Sequence, residues 1–391
     1  MTYDFDTTQD LRGTGSFQWD VLPDRYGVPD LVPFAIADMD FRSPPEVLEA
    51  LRRRVDHGVF GYTDWRYSGF PEAVRDWYAR RYGLDVDPEA LVFGPSVVNE
   101  LAQLLRMWTA PGDGVVVHTP TYVGFISALA GLGRPLRGVP IGDEEALERE
   151  LARPGTRVLL LCSPHNPTGR VWTREELEGF ARLAEAHGVA VISDEIHADL
   201  THEGHRHFPW PAVAPPGSRW ALITSATKAF NFPGATGAYG VIGEPEQRAA
   251  FVDRMENAEG MAAASLFSLT AHVAAYRHGA AWLDELRPYV AGNLRLLADR
   301  LEAAFPGLAL YTPPQAGYLA WIDLRPLGVD DQVLNDELVA RERITVRTGV
   351  AYGTPGFVRV NLGCPRAKAE RGADALVRTL TRLAEKGTGA G

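Results

Sequence analysis

The sequence predicts an α/β protein of two domains or lobes, in which helices cover both faces of a mainly parallel sheet. From about residue 91, short apolar runs alternate with helical stretches. The apolar runs occupy residues 115–117, 158–162, 189–193, 221–224 and 239–242. Runs that are apolar on both faces and are joined by helices are typical of buried parallel strands. A chain of 391 residues is long enough for a sizeable core and more than one domain.

The N-terminal residues are rich in Asp, Gly and Pro and predict a loop-like arm. A helix follows Pro45 and stops at Gly58, and Pro71 opens another that runs toward Gly83. Over residues 175–187 apolar side chains recur at helical spacing, which predicts a further helix. The elements predicted after these are a long helix over 281–305, strands over 319–324 and 357–362, and a final helix over 367–385. The predicted domains are an N-terminal arm with part of the small domain (1–45), a large domain (46–280) and a C-terminal small domain (281–391).

Composition narrows the class of partner. With 39 basic and 50 acidic residues the net charge is -11, which argues against nucleic acid or an anionic membrane surface as the main partner. Cys162 and Cys364 lie far apart in the sequence and form no Cys-x-x-Cys motif. We therefore expect that the protein has no disulfide framework and resides in a reducing cytoplasm. No apolar run approaches the roughly 18 residues of a membrane span. We therefore expect a soluble, cytoplasmic protein.

Polar residues follow three of the predicted strands, and ligands of such sheets sit beyond the carboxyl ends of the strands. The first segment, 163–169, has the sequence Ser-Pro-His-Asn-Pro-Thr-Gly and by itself predicts a turn before a helix capped by Thr173. The second, 193–197, has the sequence Ser-Asp-Glu-Ile-His. Asp194 at the end of a buried strand either needs a cationic partner or strong donors, or caps a helix.

The third segment, 224–231, has the sequence Thr-Ser-Ala-Thr-Lys-Ala-Phe-Asn. Lys228 is either a solvated loop residue or a desolvated amine with a lowered pKa, suited to Schiff-base chemistry. The hydroxyls of Ser225 and Thr227 beside it are suitable donors for a phosphate ester. The residues alone leave both interpretations of Lys228 open.

In this order and spacing, the three segments resemble the fold-type-I pyridoxal 5′-phosphate (PLP) enzymes of the class I/II aminotransferase superfamily, over nearly the whole chain. Four further segments are similar to the cystathionine β-lyase or cysteine-S-conjugate β-lyase branch: Ile-Ala-Asp-Met-Asp-Phe at 36–41, Phe-Gly-Tyr-Thr at 60–63, Phe-Asn-Phe-Pro-Gly at 230–234 and Arg-Val-Asn-Leu-Gly-Cys-Pro at 359–365. The resemblance implies a large domain with a mostly parallel, seven-stranded type of sheet, a smaller α+β domain, PLP as the cofactor, and a homodimer.

The resemblance also implies roles for single residues. Lys228 would hold PLP as a Schiff base and shuttle the Cα proton of the substrate. Asp194 would pair with the pyridinium nitrogen, and Tyr122 would stack on the ring. Asn166 would donate to the 3-oxygen of the cofactor, as would His197, at a position where aminotransferases usually carry Tyr.

The phosphate and substrate contacts are implied in the same way. The phosphate would meet Ser225, the backbone N–H groups of Ser96 and Val97 at a helix start, and Tyr62 from a neighbouring subunit. Arg359 would hold the substrate carboxylate in a bidentate fork. The residues implied on the substrate side are Asp38, Tyr62, Asn166 and Arg359.

The sequence departs from the superfamily at two places. Ordinary class I aminotransferases place an arginine eight residues beyond the lysine, and this chain has Thr236 there. The lyase branch commonly lacks that arginine too, so the departure favours the branch. Residues 96–99 are Ser-Val-Val-Asn, where the branch more often has Gly-Val-Val-Pro, so the mouth of the substrate site is expected to differ.

Four histidines lie close together in the sequence, at 197, 202, 205 and 207. They lack the spacing of a helical or zinc-finger motif and have no cysteine partner, so the sequence predicts no metal site.

The resemblance implies β-elimination: an S-substituted cysteine, either cystathionine-like or another cysteine conjugate, would yield a thiol, pyruvate and ammonia. Transamination of an amino acid needs the same residues up to the carbanion and remains open. A decarboxylating or deaminating reaction on a cysteine S-conjugate in a specialised pathway also remains open. So does a PLP-holding regulatory protein whose partner surface is its function, although intact Lys228, Asp194 and Arg359 favour chemistry.

Overall fold

The computed structural model describes residues 2–388, and the chain divides into two units. The small unit holds the N-terminal segment up to Arg42, the short stretch Pro167–Arg170 and the chain from Asp284 onward. The large unit holds Ser43–Asn166 and Val171–Leu283.

The strands, numbered along the chain, are β1 (Val32–Pro33), β2 (Leu91–Gly94), β3 (Gly114–Thr119), β4 (Leu136–Pro140), β5 (Thr156–Cys162), β6 (Ala190–Asp194), β7 (Trp220–Thr224), β8 (Ala238–Ile242), β9 (Leu319–Asp323), β10 (Ile344–Thr345), β11 (Arg347–Thr348) and β12 (Phe357–Asn361). The helices are α1 (Leu22–Tyr26), α2 (Pro45–His57), α3 (Phe70–Tyr82), α4 (Val97–Trp108), α5 (Val123–Gly131), α6 (Glu144–Ala152), α7 (Arg174–Ala186), α8 (Pro245–Asp253), α9 (Leu266–His278), α10 (Ala280–Ala304), α11 (Asp331–Glu337) and α12 (Arg366–Thr388).

The large unit is built on one sheet, which among the described residues has seven strands in the order β2-β8-β7-β6-β5-β3-β4. The pairs from β7 through β6, β5 and β3 to β4 are parallel, and only β8 runs antiparallel to its two neighbours. The prediction of a mostly parallel, seven-stranded type of sheet is confirmed.

Helices cover both faces of this sheet because its central strands are apolar on both sides. Along β5, Val158 and Leu160 belong to one buried cluster and Leu159 and Leu161 to another, as the two-residue repeat of a strand requires. The first cluster includes side chains from α4 and α5, and the second includes side chains from α6 and α7.

Helix α7 begins where the sequence predicts. The Thr173 side chain accepts a hydrogen bond from the backbone N–H of Glu176, and the Glu176 carboxylate accepts one from the Thr173 N–H. This capping box satisfies two backbone donors of the first turn. Leu177 and Phe180 then point into the core. Local signals are therefore enough to define this helix.

The small unit contains a three-stranded antiparallel sheet, β11-β12-β9, and a short parallel pair of β1 with β10. The predicted strands over 319–324 and 357–362 and the two long helices are present. The N-terminal segment is more ordered than the predicted loop-like arm, because Trp19, Val32 and Phe34 lie in the buried core of this unit. Within residues 2–388, none of the helices has the length and apolar character needed to span a membrane.

Candidate active site

The polar segments predicted at three strand ends leave the same edge of the large unit's sheet. Strands β5, β6 and β7 are parallel neighbours, and their register pairs Cys162 with Asp194 and Asp194 with Ile223. Because parallel strands end side by side, the segments that begin at Ser163, Glu195 and Ser225 emerge together.

Asp194, the last residue of β6, is a buried carboxyl group. Its Oδ1 accepts a hydrogen bond from the backbone N–H of Ile196 at 3.1 Å. Burial raises the pKa of Asp194 to about 7, and the nearby Glu195 charge adds to the rise. A carboxylate in such a place is stabilised by a cationic partner. The site therefore suits a ligand that carries positive charge.

Lys228 lies in the turn after β7 and is half-buried. Ala226, Ala229 and Phe230 around it are each at most 1% exposed. Phe230 packs edge-on against Trp77, with ring centroids 5.7 Å apart. A half-buried lysine between such buried neighbours is not a freely solvated loop residue.

Asn166 and His197 are also buried, with 6% of each residue exposed. The backbone N–H of Asn166 points to Cys162 Sγ at 3.3 Å, and Trp172 Nε1 donates to the Cys162 carbonyl at 2.9 Å. These contacts hold the loop after β5 against the sheet. His197 follows β6 directly, three residues after Asp194.

Tyr122 precedes α5 and is half-buried, with its ring 5.5 Å from that of Phe125. Gly124 makes room for the Tyr122 ring, because a Cβ at that position would lie 2.3 Å from Cε1 of Tyr122. At the start of α4, the Ser96 side chain accepts the N–H of Asn99 at 3.2 Å. The helix thus begins at Val97, as predicted, and its first N–H groups suit an anion.

The Ser225 hydroxyl is buried within a set of polar contacts. Its Oγ lies 2.7 Å from the Gly237 carbonyl oxygen, 2.9 Å from Thr227 Oγ1 and 3.0 Å from His272 Nε2. Sequence reasoning missed His272, which lies in the middle of α9 and has no motif around it. The signal that could have indicated it is its spacing of four residues from Ser268, with which it shares a helix face.

Tyr62 is 100% exposed, so within one chain it packs against none of the buried residues of this site. Contacts with other parts of the large unit hold the segment that carries it. Ala264 N–H donates to the Thr63 carbonyl at 2.9 Å, and the Phe60 ring lies 5.4 Å from that of Phe267.

Arg359 and Asp38 both belong to the small unit. Arg359 lies on β12, is 4% exposed, donates from Nη2 to the Ala35 carbonyl at 3.0 Å, and has its guanidinium carbon 5.0 Å from the centre of the Tyr352 ring. Asn361, also on β12, donates to the Asp38 carbonyl at 2.7 Å. Of the predicted substrate residues, Arg359 therefore lies on β12, and Asp38 is held by Asn361 of the same strand; both belong to the small unit.

Within the histidine-rich segment after β6, His207 lies in the interior of the large unit, whereas His205 is exposed. His207 Nε2 lies 2.8 Å from Glu195 Oε2, and Glu195 Oε1 accepts from Ser193 Oγ at 3.0 Å and from the Trp210 N–H at 2.7 Å. In the part of the chain that the structure describes, no cluster of three or more His, Cys, Asp or Glu side chains is arranged to hold a metal ion.

A mostly parallel sheet with a buried aspartate at the end of one strand and a half-buried lysine after the next defines the fold-type-I class of α/β enzymes. Within that class, the chain belongs to the aminotransferase class I and II family, whose sequence profile matches residues 29–376.

Three known proteins show where in the family the chain lies. The chain is 44% identical to protein MalY of Escherichia coli (strain K12) over 388 residues, which is 97% of this chain and 99% of that protein. It is 35% identical to cystathionine beta-lyase PatB of Bacillus subtilis (strain 168), covering 94% of this chain and 97% of PatB. The structure of the PLP-bound C–S lyase from Staphylococcus hominis superposes with a TM-score of 0.90 at 27% identity, covering 97% and 98% of the two chains. The predicted resemblance is confirmed.

Proposed function

We propose that this protein is a PLP-dependent carbon–sulfur β-lyase that cleaves an S-substituted cysteine, either cystathionine-like or another cysteine conjugate. The observation that carries the proposal is the pair of Asp194 and Lys228 at the ends of neighbouring parallel strands. Similarity to a cystathionine β-lyase and to a C–S lyase supports the choice of reaction.

The large unit suits PLP. Bound PLP supplies an electron sink for the charge that develops at the substrate Cα. The buried Asp194 carboxylate would hold a proton on the ring nitrogen, since an adjacent cation offsets the cost of burying its charge. Asn166 and His197 would hold the 3-oxygen, and Tyr122 would lie against the ring. Ser225 and the N–H groups of Ser96 and Val97 at the start of α4 would hold the phosphate.

Two residues handle the substrate. Arg359 would bind the substrate carboxylate through its planar guanidinium, which matches two carboxylate oxygens at once, and Asp38 belongs to the same small unit. Lys228 would hold the cofactor and would then take the Cα proton of the substrate. Loss of that proton would be followed by cleavage of the Cβ–S bond and departure of the thiolate, and hydrolysis of the remaining fragment would give pyruvate and ammonia.

The fully exposed Tyr62 supports a homodimer. Large apolar side chains exposed on this part of the large unit are Val59, Phe60, Tyr62, Tyr67, Met261 and Phe267. A cluster of exposed aromatic side chains indicates a protein interface. We infer that Tyr62 of the partner subunit completes the phosphate site. Cys162 and Cys364 are both buried and form no disulfide, which fits a cytoplasmic protein.

The test is to incubate the purified protein, loaded with PLP, with cystathionine, cystine and S-alkyl cysteines and with no keto acid. We expect equal amounts of pyruvate and thiol, and none from the Lys228→Ala variant. Sustained amino transfer to an added keto acid, without thiol release from any conjugate, would make the protein an aminotransferase. PLP binding without turnover of any amino acid would support the regulatory alternative.

A further inference from the structure

The chain that follows β1 is held along the edge formed by its carbonyl groups. Each backbone carbonyl from Phe34 to Asp38 accepts a hydrogen bond from β12 or from Tyr318, the residue before β9. The donors are the Asn361 N–H to Phe34 O at 2.8 Å, Arg359 Nη2 to Ala35 O at 3.0 Å, Asn361 Nδ2 to Ile36 O at 2.6 Å, the Tyr318 hydroxyl to Ala37 O at 3.0 Å and Asn361 Nδ2 to Asp38 O at 2.7 Å. The backbone of this segment, residues 34–38, therefore links the two proposed substrate residues Arg359 and Asp38.

Asn361 makes the largest number of these contacts. It is 4% exposed, and its Nδ2 donates to two carbonyls of the segment, those of Ile36 and Asp38. Its Oδ1 accepts the N–H of Gly363 at 2.8 Å. A side-chain amide has two donor hydrogens on its nitrogen and an oxygen that only accepts. The three contacts use both hydrogens and fix which end of the amide faces the segment.

Asn361 shares a face of β12 with Arg359. The two residues are two positions apart on the strand, so their side chains point to the same side. Arg359 donates to the carbonyl of Ala35, and Asn361 donates to the carbonyl of the next residue, Ile36. A guanidinium has five N–H donors, so the contact with Ala35 persists when a carboxylate binds to others of them.

We propose that Asn361 is a positioning residue for substrate binding, which holds residues 34–38 so that the Ala35 carbonyl keeps the Arg359 guanidinium oriented for a carboxylate. The inference rests on the proposed function. A group that is already held in its binding geometry loses less conformational freedom when the ligand arrives. None of these hydrogen bonds has to break on binding. Loss of Asn361 should therefore weaken substrate binding and leave the chemistry at Lys228 unchanged.

Asn293 offers a matched control within the small unit. It lies in α10, is completely buried, and its Nδ2 donates to the carbonyls of Leu362 and Cys364 at 3.0 and 2.8 Å. The same side chain thus makes the same number of hydrogen bonds to backbone carbonyls as Asn361 makes to the segment. The carbonyls it binds lie outside residues 34–38. Its substitution measures the effect of losing two such bonds without loosening the segment.

The test compares Asn361→Ala with Asn293→Ala in the full-length, PLP-loaded protein. The substrates are an S-alkyl cysteine that the wild type cleaves and the amide of the same compound, and the released thiol is measured. Asn361→Ala should raise KM for the acid about fivefold, with kcat and the KM for the amide each within about twofold of the wild type. Asn293→Ala should leave both KM values within about twofold. In Asn361→Ala the segment keeps its contacts with Tyr318 and Gln18, so it is loosened but still attached.

A second background shows whether Asn361 acts through Arg359. Combined with Arg359→Lys, Asn361→Ala should add less than about a twofold further rise in KM for the acid. Tyr318→Phe decides the question if Asn361→Ala does not fold, because it removes only the hydroxyl that binds the Ala37 carbonyl. We expect it to raise KM for the acid about threefold and to leave KM for the amide unchanged.

An unchanged KM for the acid in Asn361→Ala, or in Tyr318→Phe if that variant alone folds, would overturn the inference. So would an equal rise for acid and amide, or an equal rise in Asn293→Ala, because either result would assign Asn361 to the fold. If the wild type releases no thiol from any S-alkyl cysteine, the proposed function fails and this inference fails with it. Normal kinetics of the wild type together with unaltered variants would overturn this inference alone.

Discussion

The substitution Asp194→Asn tests the electrostatics of the site most directly. Burial raises the pKa of Asp194 from its usual 3.8 to about 7. Since one pKa unit corresponds to about 1.4 kcal/mol, keeping this carboxylate charged in the folded, cofactor-free protein costs about 4 kcal/mol. Asparagine has nearly the same shape and cannot ionise, so the variant escapes this cost.

The direction in which the free energy of unfolding changes with pH follows from proton binding by Asp194 in the folded and unfolded chains. Below about pH 4 Asp194 is protonated in both the folded and the unfolded chain. As the pH rises from about 4 to 7, Asp194 ionises in the unfolded chain but stays protonated in the folded chain, so the free energy of unfolding falls. Above about pH 7 it has fallen by the full cost of burying the charged carboxylate. Relative to Asp194→Asn, the cofactor-free wild type should therefore lose up to about 4 kcal/mol over this range.

The assay is urea unfolding of both proteins, freed of cofactor, at a series of pH values from 4 to about 8. The difference in free energy of unfolding between them is the readout, because other groups titrate equally in both. Adding PLP should then stabilise the wild type more than the variant, which should bind the cofactor but turn over slowly. A difference in free energy of unfolding that stays constant with pH would mean that Asp194 is only a helix cap. A turnover of Asp194→Asn within about threefold of the wild type, which corresponds to roughly 0.6 kcal/mol in the barrier, would mean the same.

Three further predictions concern the amine of Lys228, the binding of the substrate carboxylate by Arg359, and the choice between elimination and transamination. Lys228→Ala should abolish turnover with the circular dichroism spectrum unchanged. The wild type should be yellow and, after reduction with borohydride, should carry the reduced cofactor on Lys228. A colourless wild type would contradict the proposal. Arg359→Lys should raise KM about tenfold or more, because a point charge does not reproduce two parallel hydrogen bonds. Substrate amides should lose little more in that variant, and an equal loss for acid and amide would assign Arg359 to the fold. Alanine and aromatic amino acids, which have no leaving group at Cβ, should give little or no turnover when assayed for pyruvate, whereas rapid turnover of alanine would contradict elimination.

The exposed surface around Tyr62 bears on how PLP binding is measured. If Tyr62 of the partner subunit reaches the phosphate, then PLP affinity depends on the dimer. Reconstitution with PLP is therefore best run well above the concentration at which the subunits dissociate, which sedimentation can establish.

The elements that the sequence predicts best are those that carry their own local signals. Helix α7 has its capping box and its apolar repeat within one segment. The inner strands contain unbroken apolar runs, at 158–162 in β5, 190–192 in β6 and 238–242 in β8, because both faces of these runs are buried. β4, which the sequence did not predict, is an edge strand whose residues are mostly exposed and which ends at Pro140. A strand that buries few side chains contains few apolar residues, so its sequence lacks the pattern by which strands are predicted.

The sequence by itself determined that Asp194 and Lys228 follow buried strands, and the parallel order of those strands brings them to one edge of the sheet. Only the tertiary structure decided what surrounds them. The acceptors of Ser225 come from Gly237 and from His272, which is 47 residues away. Asn361 holds Asp38 from 323 residues away. Such contacts depend on how whole elements pack, and packing leaves no periodic trace in the chain, whereas helices and buried strands repeat their pattern every few residues.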